Sequence, residues 1–165
     1  MIFGSSCAFA SDVDKMLNPG GTGQMGVVEK VVSAESLTLK DGRKIHLIGL
    51  NAPQTPRNRD IKRDSYGYVI KEVNPATTLE ERAYDFAKSL LETKTIRLEY
   101  DITAKDEHFQ TLAYVFLPDG TFANAAILRQ GYANLKIILP NTKYEVQLRA
   151  AYQEARREKR GLQGE

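Results

Sequence analysis

The stretch that decides the fold is "SLTLKDGRKIHLIGLNAPQTP", residues 36–56. Apolar and β-branched residues alternate with polar ones up to Asp41-Gly42, and the pattern resumes beyond this pair as far as Leu50. Alternation on both sides of an Asp-Gly pair predicts two strands joined by a tight turn. Pro53 then predicts a second turn, whose polar side chains are the neutral Asn51 and Gln54.

The same strand signal recurs on both sides of this stretch. It appears in residues 27–32, 94–101 and 111–122, the last of which contains Asp119-Gly120 as another tight turn. Together these segments predict about five strands.

Three helices are predicted between and after the strands. The first spans residues 77–92, where Thr78 and Glu81 have capping-box spacing. Its apolar face comprises Leu79, Ala83, Phe86, Ala87, Leu90 and Leu91. The second covers residues 121–130 and ends at Gly131, and the third runs over 143–159. Its apolar side comprises Val146, Leu148, Ala151, Tyr152 and Ala155. Strands with inserted and trailing helices predict an α+β fold built on a small barrel.

The composition fits one globular domain. The chain has 165 residues, of which 42% are hydrophobic and 27% charged, and its net charge of +2 excludes a strongly basic field over the whole protein. We expect a tail and Gly/Pro-rich linker over residues 1–25 and a folded domain over 26–163. Ala8-Phe9-Ala10 has the form of a signal-peptidase site, so residues 1–10 are interpreted as a signal-peptide remnant of an exported protein, against a plain N-terminal tail.

Basic and acidic residues are concentrated in different parts of the chain. Residues 43–71 carry a net charge of +5, whereas residues 72–107 carry −4. The basic part includes a loop of more than twenty residues after Pro53. Its cations are Arg57, Arg59, Lys62 and Arg63, followed by Tyr66 and Tyr68. Cations beside aromatic rings are typical of contacts with single-stranded nucleic acid, and the competing interpretation is a solvated surface loop.

Several strings, in this order, resemble the staphylococcal nuclease (thermonuclease-like) family over residues 26–160. They are "LIGLNAP", "TTLEERA", "TLAYVFLPDG", "NAAILRQGYA" and "KRGL". The resemblance implies a five-stranded OB-type β-barrel with three helices. In active members it implies a calcium-dependent phosphodiesterase that cuts DNA and RNA.

The positions that match the family's active site have lost most of their charge. The arginine of the third strand falls on His46, the aspartate before the turn proline on Asn51, and the glutamate after it on Gln54. The second arginine falls on Gln110, and the early acid falls on Glu35, which alone keeps its charge.

These replacements predict an inactive site. Gln54 cannot take a proton from water, which forfeits a factor of roughly 10²–10⁴ in rate. Gln110 cannot present a charged guanidinium, and losing one transition-state donor costs on the order of 2.7–4 kcal/mol. Glu35 and Asn51 form a weak metal site at best, so we expect no cofactor. If the protein does bind one, we expect it to be calcium.

The nucleotide pocket also departs from the family. A basic position of the family falls on Glu107, and its base-side tyrosines fall on Ile137 and Leu139. A transition-metal site built from His46, His108, Glu35 and Asp106 is a further alternative.

The sequence therefore predicts a catalytically degenerate, monomeric binding module for single-stranded nucleic acid or a protein partner. The alternative is an active metal-dependent phosphodiesterase with altered catalytic residues, and a structural domain without a ligand is a third. No stretch approaches the roughly 18 apolar residues that a membrane span needs.

Overall fold

The computed structural model describes residues 23–53 and 78–164. These residues form seven strands and three α-helices, with one short 3₁₀ turn at Gly161–Gln163. The strands are β1 (Gln24–Ser33), β2 (Ser36–Leu39), β3 (Lys44–Leu47), β4 (Gly49–Asn51), β5 (Thr95–Glu99), β6 (Thr111–Phe116) and β7 (Asn134–Lys136). The helices are α1 (Leu79–Leu91), α2 (Ala123–Arg129) and α3 (Glu145–Arg157).

Five of the strands close into a barrel in the order β1-β2-β3-β6-β5, and β5 pairs back onto β1. All of these pairs are antiparallel except β3 with β6, which run parallel. The predicted α+β fold with a five-stranded barrel and three helices is therefore confirmed.

The strand count differs from the prediction outside the barrel. Residues 36–50 were expected to form one hairpin, but its second strand breaks before Gly49, which has a φ of +89°. The chain then turns away as β4 and pairs with β7 in a separate two-stranded sheet. Only three residues long, β7 carries too weak a pattern to be read without its partner strand.

The core lies inside the barrel and beneath the helices. Ile45 and Leu47 of β3 are fully buried while His46 between them is half-buried, because successive strand residues face opposite sides of the sheet. The capping box of α1 is present as predicted, with Thr78 and Glu81 each bonded to the other's backbone N–H. Its buried face packs onto β1.

Helix α3 corrects one predicted core residue. Val146 was assigned to the apolar side, yet its side chain is 78% exposed. It lies in the first turn of the helix, where Leu148 is the residue that points inward. Tyr144 and Tyr152 pack against the core, and Tyr144 lies edge-on to Tyr114 at a centroid distance of 4.8 Å.

Hydrogen bonds to backbone groups hold α2 and α3 in place. Asn124 in α2 is fully buried, and its side chain donates to Ile48 O and accepts from Val115 N. The C-terminal ends of α2 and α3 meet at a backbone hydrogen bond in which Leu162 N donates to Gly131 O at 2.9 Å, and the Arg160 side chain adds a hydrogen bond to Arg129 O at 3.1 Å. Gly131 and Gly161 both have positive φ and both lack room for a Cβ.

None of the helices in the described ranges has the length and apolar character that crossing a bilayer requires.

Candidate functional site

Glu35 lies in the turn between β1 and β2 and points across to the turn after β4. Its backbone carbonyl accepts from Leu47 N at 2.8 Å, which fixes the turn against β3. Its side chain is nearly buried, and Oε2 accepts a hydrogen bond from Ala52 N at 2.7 Å. The carboxylate therefore joins two chain segments that are 17 residues apart.

His46 lies on the outward face of β3. It pairs with Ser36 of β2 on one side and Leu112 of β6 on the other. Its immediate strand neighbours fill the barrel interior, so the half-buried imidazole faces away from the core. The structure thus places His46 directly beside the turn that carries Glu35.

Gln110 immediately precedes β6 in a turn organised by Asp106. Asp106 Oδ1 accepts from Gln110 N at 2.8 Å and from His108 N at 2.9 Å, and Asp106 N donates to Gln110 O at 3.0 Å. These bonds fix the backbone of the turn. The next residue, Thr111, lies opposite Ile45 of β3.

Asn51 ends β4 and is exposed. It lies opposite Asn134 of β7, and its C-terminal neighbour Ala52 is the residue that Glu35 holds. The structure therefore brings Glu35, His46 and the Asn51 turn together at one end of the barrel. Gln54 and the four loop cations, Arg57, Arg59, Lys62 and Arg63, lie outside the described residues.

Among the described residues, the positions matched to the family's nucleotide pocket carry acidic or apolar side chains rather than basic or aromatic ones. Glu107 is exposed and Ile137 is half-buried against the core. Leu139 is 78% exposed and Phe109 is 84% exposed. Phe109, with a φ of +59°, was missed by the sequence analysis, although a lone phenylalanine within the polar run "DEHFQ" is a usable signal for an exposed aromatic.

The described residues do not assemble a metal centre. Within residues 23–53 and 78–164, no three His, Cys, Asp or Glu side chains gather closely enough to hold an ion. The alternative of a transition-metal site at His46, His108, Glu35 and Asp106 is therefore wrong for these residues. Of the residues matched to calcium, Glu35 offers one carboxylate and Asn51 at most a neutral carbonyl, which does not fit an ion that takes six to eight oxygen ligands.

A second charged cluster lies away from this region, where α3 meets β5. Glu99 is 7% exposed and accepts from Lys143 Nζ at 2.8 Å and Tyr144 OH at 2.6 Å, and it also pairs with Arg97. Burial opposes ionisation of Glu99, but the hydrogen bonds from these three groups outweigh it and lower the pKa of Glu99 to about 2. The cluster holds the start of α3 onto the barrel.

A closed five-stranded barrel with a helix between strands, and with Glu35, His46 and Asn51 at one end, defines a domain of the OB-type class. The sequence model described as "Staphylococcal nuclease homologue" matches residues 44–163, and the chain belongs to this family. The resemblance seen in the sequence is thereby confirmed.

Two curated relatives are both named thermonuclease. The one from Staphylococcus intermedius is 31% identical over 138 residues, which cover 82% of this chain and 73% of the relative. The one from Staphylococcus hyicus is 30% identical over 138 residues with the same coverage of each chain. The chain is thus similar to thermonucleases over most of its length.

Proposed function

We propose that this protein is a catalytically degenerate member of the staphylococcal nuclease family that serves as a binding module. The proposal is supported by the residue types at the matched positions. His46, Asn51, Gln54 and Gln110 stand where active members have two arginines and two acids. Neutral amides supply neither a general base nor a charged donor for a phosphoryl transition state.

The observation that carries the proposal is the state of Glu35. It is the only matched position that keeps its charge, and its carboxylate Oε2 accepts the backbone N–H of Ala52 at 2.7 Å. A carboxylate engaged with the backbone is a structural group. Among the described residues, no three His, Cys, Asp or Glu side chains come together around it to share a cation.

A nuclease assay tests the loss of catalysis. The purified protein is incubated with DNA and RNA, single-stranded and duplex, with Ca²⁺ or with chelator, and we expect no cleavage above background. The matched variant restores all four positions as His46→Arg, Asn51→Asp, Gln54→Glu and Gln110→Arg. Any restored cleavage should require all four changes, because catalytic groups that act as a unit are not additive.

Calcium-dependent cleavage by the unmodified protein that Glu35→Ala abolishes would overturn the proposal. That result would instead support the alternative, an active phosphodiesterase with altered catalytic residues.

The ligand favoured by the sequence is single-stranded nucleic acid, bound through Arg57, Arg59, Lys62 and Arg63. Four cations neutralise at most about four phosphates, which predicts weak binding with a salt slope of about −3 on logarithmic axes. Fluorescence anisotropy with labelled oligonucleotides at several salt concentrations measures both quantities.

A matched control removes the same charge elsewhere. Lys40, Arg156, Arg157 and Lys159 are exposed cations of the described residues. Changing these four to Ala should leave most of the binding intact, whereas changing the four loop cations to Ala should abolish it. An equal loss of affinity in the two variants would show that binding depends only on net charge. If the unmodified protein binds no oligonucleotide at low salt, a protein is the remaining candidate partner.

Export forms part of the same proposal and rests on Ala8-Phe9-Ala10 alone. Expression of the full chain, followed by fractionation and N-terminal sequencing, tests it. Cleavage after Ala10 is expected, and an intact N-terminus in the cytoplasmic fraction would contradict export.

A further inference from the structure

The side chain of Glu35 bridges the two segments between which a cation would have to lie. It leaves the β1–β2 turn, reaches the turn after β4, and meets Ala52 N at 2.7 Å with only 8% of the residue exposed. A hydrogen bond from a backbone N–H to a carboxylate is charge-assisted, and burial strengthens it.

A calcium ion shared between these segments would serve a similar mechanical purpose. It would tie the β1–β2 turn to the Asn51–Pro53 turn through oxygen ligands from both. As shown above, the described residues do not fit such an ion, since Asn51 is neutral and exposed and no three metal-ligating groups come together.

We propose that Glu35 is a latch that replaces the metal, so that the geometry of these two turns does not depend on a divalent cation. The carboxylate holds Ala52, and through it the turn that carries Asn51 and Pro53, against the β1–β2 turn. The inference rests on the proposed function, because a binding module that no longer performs metal-dependent chemistry has to hold these turns in place without a metal.

Side-chain length is the physical core of the proposal. Aspartate is shorter than glutamate by one carbon–carbon bond of about 1.5 Å. From the same backbone position, its oxygens would fall short of Ala52 N by roughly that amount, and a contact near 4 Å is no hydrogen bond. Glutamine has the length of glutamate and retains one acceptor oxygen, although it has no charge.

Two substitutions therefore separate a latch from a metal ligand. If Glu35 is a latch, Glu35→Gln should keep part of its effect and Glu35→Asp should lose it, with and without Ca²⁺. If Glu35 is a calcium ligand, the order reverses, because Asp keeps the anionic oxygens that Ca²⁺ requires and Gln does not.

The experiment measures urea midpoints of the unmodified protein, Glu35→Asp and Glu35→Gln in chelator and in millimolar Ca²⁺. Exposed Glu107 supplies the matched controls Glu107→Asp and Glu107→Gln, which should leave the midpoint unchanged. We expect the midpoint to fall in Glu35→Asp, to fall less in Glu35→Gln, and to be insensitive to Ca²⁺ throughout.

Hydrogen exchange at the Ala52 amide tests the latch without relying on any variant. In the unmodified protein this amide should be protected in chelator and no better protected with Ca²⁺. In Glu35→Asp its exchange should become about tenfold faster or more, the change expected for one lost hydrogen bond.

The latch is overturned if Glu35→Gln is weaker than Glu35→Asp, or if Ca²⁺ raises the midpoint or is needed to protect Ala52. The nuclease assay can contradict the proposed function independently of the latch. Calcium-dependent cleavage without any effect of Ca²⁺ on stability would overturn the proposed function and leave the latch, whereas a reversed order of the variants without cleavage would overturn only the latch.

Discussion

Glu35 and Glu99 are the two buried carboxylates among the described residues, and their surroundings differ in kind. Glu99 is met by Lys143, Arg97 and the Tyr144 hydroxyl, which together offset its burial. Glu35 accepts a hydrogen bond from a backbone N–H, that of Ala52. Where α3 docks, opposite charges surround the buried carboxylate, whereas the contact of Glu35 with Ala52 ties the side chain to the backbone of another turn.

The difference shows what each region contributes. A carboxylate with several charged and hydroxyl donors holds a helix onto the barrel and fixes its own ionisation far from neutral pH. A carboxylate on a backbone amide fixes the course of a turn. We expect the charged contacts of Glu99 to contribute more than the hydrogen bond from Ala52 to Glu35, so substitutions at Glu35 should cost less than substitutions at Glu99.

Glu99→Ala should produce the largest loss of stability. It leaves Lys143 and the mostly buried Arg97 without their shared acid, and breaking a buried pair in this way costs about 3 kcal/mol. Urea unfolding followed by circular dichroism measures it. The matched control on α3 is Glu145→Ala, which removes the surface pair with Arg149 and should cost less than about 0.5 kcal/mol. Similar losses in both variants would remove the distinction between the two regions.

Protonation of Glu99 in acid should lower the stability by about as much as the Glu99→Ala substitution does. Its pKa in the folded protein is about 2, against an ordinary value of 4.5, so the folded state binds fewer protons than the unfolded state. This contribution is fully present above pH 4.5 and is lost as the pH falls towards 2, by about 3 kcal/mol in total. Urea midpoints from pH 7 to pH 2.5 should flatten in Glu99→Gln. A slope that is identical in the variant would assign acid sensitivity to other carboxylates.

Glu35→Ala should cost less, about 2 kcal/mol, because it leaves one buried N–H at Ala52 without its partner. The loss should be the same in chelator and in Ca²⁺. Thermal unfolding in both buffers, beside Glu99→Ala, places the two carboxylates on one scale. A loss that equals or exceeds that of Glu99→Ala would reverse the comparison.

Asn51→Asp and Gln54→Glu should have the smallest effects. Asn51→Asp adds a negative charge one residue before Ala52, which Glu35 binds, and Gln54→Glu adds one three residues further along the chain. The repulsion should lower stability in metal-free buffer by about 1 kcal/mol or less for each change, since Asn51 is exposed. Ca²⁺ should recover part of the loss only in the double variant, by binding its native state. Urea midpoints with chelator and with Ca²⁺ decide this. An unchanged midpoint in chelator would show that repulsion at the turn is negligible.

Local rules predicted much of the fold. The Asp-Gly turns and the capping box of Thr78 and Glu81 are set by residues a few positions apart, and both are present. Alternation in β3 correctly separated buried Ile45 and Leu47 from His46. In each case the residues that decide the conformation lie close together in the sequence.

Long-range contacts account for what the sequence did not reveal. β7 exists because β4 turns away from the barrel at Gly49 to meet it, and the contact of Glu35 with Ala52 depends on the pairing of whole strands. Val146 was misplaced because helical spacing does not say where a helix first touches the core. The roles of Gln54 and the loop cations stay predictions.

The contact between Gly131 and Gly161 has a consequence for how the sequence can change. A Cβ on Gly131 would lie 2.0 Å from Arg160 O and a Cβ on Gly161 would lie 2.3 Å from Gly131 O, so a side chain at either position collides with the backbone of the facing segment. Two positions thirty residues apart therefore act as one constraint. A side chain at either glycine would push the two backbone segments apart, and with them the arrangement in which the last turn closes over the end of α2.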